Sequence, residues 1–295
     1  MNDVAVELKD VTKRYGHRRV LDGLSFTLRQ GTCLGILGPN GAGKTTILRL
    51  VAGIARTTSG TVRVFGGDPL ADPERVKAQI GYVAEDFRFP DLLKPWELFS
   101  FFSDCYPTWD QPFALSLMDR FRIPLHRRLS TLSKGERRQV ELICAMAHHP
   151  RLLVLDEPTG GLDPIVRRAF LQQLVEYLSA QDERSILLSS HHTEDVERLA
   201  DRVAFLGHGR ILLEDEIDRL REGSCQVSAE LPETDADRIR SALEGCLSAE
   251  RRRDAWILTF LCPERAARDR VAACGGRVHT VRPLTLDDLI LSLRG

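Results

Sequence analysis

No window of this 295-residue chain approaches the apolar length that crosses a bilayer, which takes about 20 residues in a helix. The chain is therefore expected not to cross a membrane itself, though it can dock on something that does. No two of its seven cysteines form a Cys-x-x-Cys pair, and their number is odd. A disulfide framework and a zinc site are both disfavoured, and a reducing cytosol fits better. The first residues, MNDVAVELKDVTKRYG, show neither a basic-then-apolar secretion signal nor an Arg/Ser-rich transit pattern. Formal net charge is only −1, so there is no basic excess to suit nucleic acid and no acidic solvating tail. Internal repeats and low-complexity tracts are also missing. No Lys follows Lys134, a bias from which no function follows.

What is present is an ordinary soluble composition, 43% apolar and 28% charged, with enough chain for one large or two modest domains. VAVEL at 4–8 alternates and reads as an edge strand, and LSFTLRQG at 24–31 as another. TCLGILG at 32–38 is a short apolar run that suits a buried parallel strand. KTTILRLVAGI follows with helical spacing, and TSGTVRVFG at 58–66 reads as a turn and a strand. Residues of about 87 to 145 read as a helical insertion. Its first part carries Phe87, Phe89, Trp96, Phe99, Phe101, Phe102, Tyr106 and Trp109. These rings suit either the insertion's own small core or a partner-docking surface. Strands and helices alternate up to about residue 220, which implies an α/β domain with a largely parallel sheet. Composition changes at Glu222-Gly223-Ser224. Residues 222–295 read as a small α+β module with three strands and three helices, the last opened by Thr285 and Asp288 as a capping box.

Two segments carry chemistry. Gly38, Pro39, Asn40, Gly41, Ala42, Gly43, Lys44 and Thr45 spell GPNGAGKT between a strand and a helix. That is a complete G-x-x-x-x-G-K-[ST] phosphate loop. Its glycines let backbone N–H groups turn inward to phosphate oxygens, and the helix adds its N-terminal dipole. Lys44 supplies charge to the β- and γ-phosphates of ATP, and the Thr45 hydroxyl can ligate Mg²⁺. LLVLDEP at 152–158 delivers Asp156 and Glu157 at the carboxyl end of a buried strand, where open α/β sheets place their ligands. Asp156 would hold Mg²⁺, through water, leaving Glu157 to orient or deprotonate an attacking water.

Over residues of about 3 to 220 the chain resembles the nucleotide-binding subunit of an ATP-binding cassette (ABC) transporter, with the motifs in the family's order. The resemblance implies a P-loop NTPase core of residues 1–221. Tyr15 falls where the family stacks a ring on adenine, and the Walker A loop extends to Thr46. LSKGE at 132–136 stands where the family has LSGGQ, LLVLDE is Walker B, and GGLD, ending in Asp163, resembles the D-loop. His191 falls at the switch histidine. Ser133 and Gly135 would open a helix facing a γ-phosphate bound to the opposite subunit, so that a head-to-tail homodimer carries two composite sites. His191 can donate to the γ-phosphate. His192, its neighbour on an extended stretch, is expected to point the other way and be structural. His148 and His149 are expected at a helix C-terminus, where the dipole favours them.

Two departures stand out. The family usually has Gln after the strand IGYV; here it is Glu85, which keeps an oxygen ligand for Mg²⁺ but adds negative charge. Lys134 replaces a glycine and Glu136 a glutamine, and Lys134 can pair with Glu136 or reach nucleotide. Since Glu157 and His191 are intact, hydrolysis is expected, rather than binding alone. The single cassette and the tail VRPLTLDDLILSLRG resemble cytosolic ATPases that serve a separate ABC-2-type permease, peripheral on the inner face of the membrane. The other class weighed is a soluble ABC ATPase acting on ribosomes or DNA. It is disfavoured by the single cassette, the short aromatic insertion and the lack of a basic patch. No nucleic acid partner is expected.

Overall fold

A computed structural model describes residues 3–86, 88–180, 183–233, 235–252 and 255–293. Phe87 of the aromatic segment and the last two residues of the tail lie outside them. The chain opens with β1 (Val4–Tyr15), β2 (Arg18–Arg29), β3 (Cys33–Leu37), α1 (Lys44–Val51) and β4 (Ser59–Val64). Next come α2 (Pro73–Lys77), β5 (Ile80–Val83), α3 (Pro95–Cys105), α4 (Gln111–Phe121) and α5 (Lys134–Met146). Then follow β6 (Leu152–Asp156), α6 (Pro164–Ser179), β7 (Ser185–Ser189), α7 (Thr193–Leu199), β8 (Arg202–Gly207) and β9 (Arg210–Glu216). The chain ends with α8 (Ile217–Glu222), β10 (Cys225–Glu230), α9 (Ala236–Ala242), β11 (Cys246–Arg252), β12 (Ala255–Phe260), α10 (Glu264–Ala273), β13 (Arg277–Pro283) and α11 (Leu286–Ser292).

Six strands form one sheet in the order β5-β6-β7-β3-β8-β9, parallel except for the β8–β9 hairpin. β3, β6 and β7 are buried at every residue, as expected of apolar strands covered on both faces. Because β6, β7 and β3 are neighbours, their carboxyl ends deliver three loops to one edge. Those loops hold Glu157, His191 and the phosphate loop. This adjacency is what builds the site.

A second, antiparallel sheet has the order β2-β1-β4. β1 is thus its central strand, which corrects the edge-strand expectation. The alternation of Val4 to Leu8 breaks at Lys9 and Asp10, where Asp10 takes φ 48° and the register shifts. Such a bulge interrupts period-2 patterning while the strand continues to Tyr15.

α3, α4 and α5 enclose a separate core around Leu98, Phe99, Leu117, Met118 and Val140. The aromatics divide between buried and exposed positions. Phe99 is fully buried, Trp109 packs against it with a tilted ring, and Phe102 stacks on Trp109. Trp96 and Phe101 stay exposed, with Leu92 nearby in the chain. α5 ends at Met146, so His148 and His149 do follow a helix C-terminus. His148, however, is buried, stacked 4.1 Å from the Tyr106 ring and 3.2 Å by Nε2 from the Ile80 carbonyl. Burial depresses its pKa to about 4. Desolvation therefore outweighs the helix dipole and keeps it neutral. His149 reaches Asp110 Oδ2 at 2.8 Å instead.

The four strands after α8 form an antiparallel sheet in the order β11-β12-β10-β13. Its own core contains Val227, Trp256, Leu258 and Phe260, covered by Ile239 and Val271. β11 adds a strand to the three expected; its segment CLSAERR is too polar to signal one. α11 opens with the Thr285–Asp288 capping box. Its Leu286 and Leu289 belong to the cassette core with Val196, Leu199 and Phe205, against which the module's Leu247 and Leu261 also pack. The Thr193 hydroxyl donates to Asp287 at 2.9 Å, which ties α11 to α7.

All seven thiols are free. Among the described residues no helix is long and apolar enough to cross a membrane.

Candidate functional site

An open cavity of about 1340 Å³ lies at the carboxyl edge of the parallel sheet. Residues 38–46 form one side of it, and Glu85, Glu157 and His191 also line it. Gly43 takes φ 112° as the residue that caps α1, a left-handed conformation that glycine alone adopts without strain. A side chain on Gly38 would collide with the Leu206 carbonyl. The loop is thus pinned between α1 and β8.

Lys44 is buried, and its ammonium donates to the Gly38 carbonyl at 2.9 Å. It also stands 3.8 Å from Glu157 Oε1. Thr45 Oγ1 donates to Asp156 Oδ1 at 3.3 Å, and Ser189 Oγ to the same oxygen at 2.7 Å. Asp156 Oδ2 is buried with no hydrogen-bond partner among the described residues. Burial raises the Asp156 pKa. An orphaned, desolvated carboxylate oxygen beside a threonine hydroxyl fits a hard divalent cation. Glu85 brings a further oxygen to the cavity; burial, then Asp156 and Glu157, raise its pKa. Among the described residues no group of three His, Cys, Asp or Glu side chains could hold a metal.

Glu157 is 7% exposed. Its Oε2 accepts the His191 backbone N–H at 3.0 Å and lies 2.6 Å from His191 Nδ1. Its backbone takes φ 45°, a left-handed conformation that costs a non-glycine residue on the order of 1–3 kcal/mol. The Glu157 amide is held by the Ser189 carbonyl and hydroxyl. A carboxylate placed among an ammonium, an imidazole and a phosphate loop can accept a proton from water positioned against a phosphate.

The remaining sequence candidates lie elsewhere. Ser133 caps α5, accepting from the Glu136 amide at 3.1 Å, while Glu136 accepts from the Ser133 amide at 2.6 Å. Gly135 lies in the first turn, against Val166. Asp163 caps α6 through the amides of Ile165 and Val166. Tyr15 ends β1, half exposed, with the Lys13 ammonium over its ring at 4.7 Å. None of these four lines the cavity. Among the described residues Lys134 forms no ion pair with Glu136. Glu136 is engaged with the Ser133 amide, and the Lys134 ammonium fills the space where a Gly161 side chain would stand. The rings of His191 and His192 are 4.0 Å apart, not on opposite sides. The chain has already left β7 at Ser189, so strand alternation no longer applies there. Burial lowers the His192 pKa.

Sequence reasoning passed over two arginines. Arg18 lines the cavity with its guanidinium beside Gly41; an Arg of the Arg18-Arg19 pair in a hairpin gives no signal. Arg138 is 9% exposed and hydrogen-bonds behind the Glu157 turn. An arginine on the same helical stripe as Leu142 and Ala145, both buried, was the available signal.

The comparisons with known proteins agree. The ABC transporter family model matches residues 21–160. The chain is 36% identical over 222 residues to the ABC transporter ATP-binding protein YtrB of Bacillus subtilis (strain 168), covering 75% of each. It is 32% identical over 303 residues to the Nod factor export ATP-binding protein I of Paraburkholderia xenovorans (strain LB400), covering 100% of this chain and 98% of that one. A solved ATP-binding subunit of an ABC transporter superposes with a TM-score of 0.66 at 29% identity, over 74% of this chain and 92% of that one. The chain belongs to the ABC transporter family, as one of its ATP-binding and ATP-hydrolysing subunits.

Proposed function

We propose that the protein hydrolyses ATP in a head-to-tail homodimer and thereby drives a separate membrane permease, an exporter of the ABC-2 type, from the inner face of the membrane. The observation that carries this reading is the Glu157 carboxylate held between Lys44 and His191 at the phosphate loop. Lys44 and the loop amides meet the β- and γ-phosphates, and Tyr15, paired across the β1–β2 turn with cavity-lining Arg18, meets adenine beyond the cavity rim. Thr45, Asp156 and Glu85 are the residues that would hold Mg²⁺, whose charge would offset that of the phosphate oxygens. Glu157 takes a proton from the attacking water. His191 uses Nδ1 for Glu157; with both ring nitrogens protonated, Nε2 donates to the γ-phosphate. Ser133 and Gly135 open α5 away from this chain's own cavity, which suits a role toward the partner's nucleotide. Asp163 caps α6 and orders the turn that follows Glu157. Closure of the dimer around ATP would push on the permease, and hydrolysis would reset it.

The exporter reading draws support from the Nod factor export relative, which matches along the whole chain, C-terminal module included. Docking falls to the exposed side of the helical insertion, where Leu92, Trp96 and Phe101 are 72%, 42% and 62% exposed. Burying such side chains on a partner stabilises by about 1.5–3 kcal/mol each. Phe101→Ser combined with Trp96→Gln is expected to leave basal ATP turnover within about twofold and to abolish co-purification with the permease. Retained co-purification at wild-type yield would refute this docking site.

A further inference from the structure

We propose that Arg138 is a positioning residue for ATP hydrolysis, a single guanidinium that shapes the turn presenting Glu157 and joins it to the segment carrying Glu85. The inference rests on the reading of Glu157 as the base. Arg138 lies on α5, on the far side of Glu157 from the cavity. Its Nε donates to the Pro158 carbonyl at 3.0 Å, and its Nη2 to the carbonyls of Asp156 at 2.9 Å and Glu157 at 3.1 Å. Its Nη1 donates to the Ala84 carbonyl at 2.6 Å and to Glu141 Oε2 at 2.8 Å.

The pattern is informative because carbonyls of an extended chain alternate in direction. Three successive carbonyls reach one guanidinium only if the chain turns sharply, and the turn is at Glu157, with φ 45°. That same turn swings the Glu157 carboxylate toward Lys44 and His191. A planar fork of five N–H donors matches several fixed acceptors at once. A lysine ammonium, with its donors on one nitrogen, cannot span from Ala84 to Pro158. Ala84 precedes Glu85, so the fourth carbonyl ties the segment carrying Glu85 to the same group. Since Arg138 stands five residues after Ser133 on α5, displacement of that helix against the sheet is felt at the base. Desolvation is met by four carbonyls and one carboxylate, so the charge is compensated where it is buried. Arg138 itself reaches no cavity surface and touches no reacting atom.

The test is steady-state ATP turnover of full-length Arg138→Met and Arg138→Lys, with Glu157→Gln alongside, each checked for thermal melting and for binding of a fluorescent ATP analogue. Misplacing a reacting group by about 1 Å costs roughly 100-fold. Arg138→Met is expected to lower kcat at least tenfold, with KM for ATP and analogue affinity within about threefold. Arg138→Lys, which keeps the buried charge and guards against a misfolded Met variant, is expected to rescue little. Normal kcat per folded molecule in either variant overturns the proposal. So does loss of nucleotide binding in parallel with kcat, which would mark a purely structural role. Normal turnover by Glu157→Gln would defeat the base reading itself. An inactive Glu157→Gln beside fully active Arg138 variants would defeat only the positioning role.

Discussion

At Glu157 and Asp156 the side chains are committed to opposite tasks by their surroundings. Asp156 keeps one oxygen on Thr45 and Ser189 and leaves the other unpartnered and buried. Glu157 is instead engaged by groups that donate or carry charge, Lys44 and His191. On the proposed reading, the first suits a cation and the second a proton acceptor at the cavity. Glu85 modifies this balance. On the reading proposed above, a carboxylate here would repel nucleotide when no metal is present and would ligate metal better than an amide. Glu85→Gln is therefore expected to bind ATP about fivefold more tightly in EDTA. Its half-maximal turnover should need more free Mg²⁺ than the wild type. Titrations of ATP in EDTA and of Mg²⁺ at fixed ATP check both signs; a lower Mg²⁺ requirement would oppose the assignment of Glu85 as an oxygen ligand.

Among the elements, the phosphate loop, β3, β6 and β7 were legible because buried parallel strands read as short apolar runs closed by chemistry-bearing residues. The centre position of β1 was not, since a bulge at Asp10 erases the alternation. Nor was the packing of α11. Its leucines show an amphipathic helix, and no local pattern says which core receives them. Arg138 escaped for a related reason, because its partners are backbone carbonyls distant in sequence. The end of α5 makes a prediction of its own. In the unfolded chain a histidine titrates near pH 6.5, whereas folded His148 titrates at about 4. Below pH 6.5 the unfolded chain binds a proton that the folded chain refuses. Stability is thus present above that pH and lost as pH falls toward 4, by on the order of 3 kcal/mol. His148→Phe keeps the stack on Tyr106 and removes the titration. Urea unfolding at pH 7.5 and pH 4.5 should show a smaller loss in the variant than in the wild type; equal losses would contradict a neutral buried His148.

At the scale of the molecule, the cassette and the C-terminal module are not merely strung together. α11 returns from the module to the cassette core, and its Ile290 and Leu293 line the far end of the same cavity that holds the phosphate loop. The Asp287–Thr193 hydrogen bond fastens it to α7, the helix that begins two residues after His191. The cavity seen in one chain, however, holds neither Ser133 nor Gly135, the feature that a composite dimeric site requires. That makes Glu157→Gln the most direct measurement of the whole account. In ATP and Mg²⁺ it is expected to bind nucleotide, to lose at least 100-fold in turnover, and to elute as a dimer holding two ATP. Turnover near that of the wild type, or a monomer with ATP bound at saturation, would contradict the account.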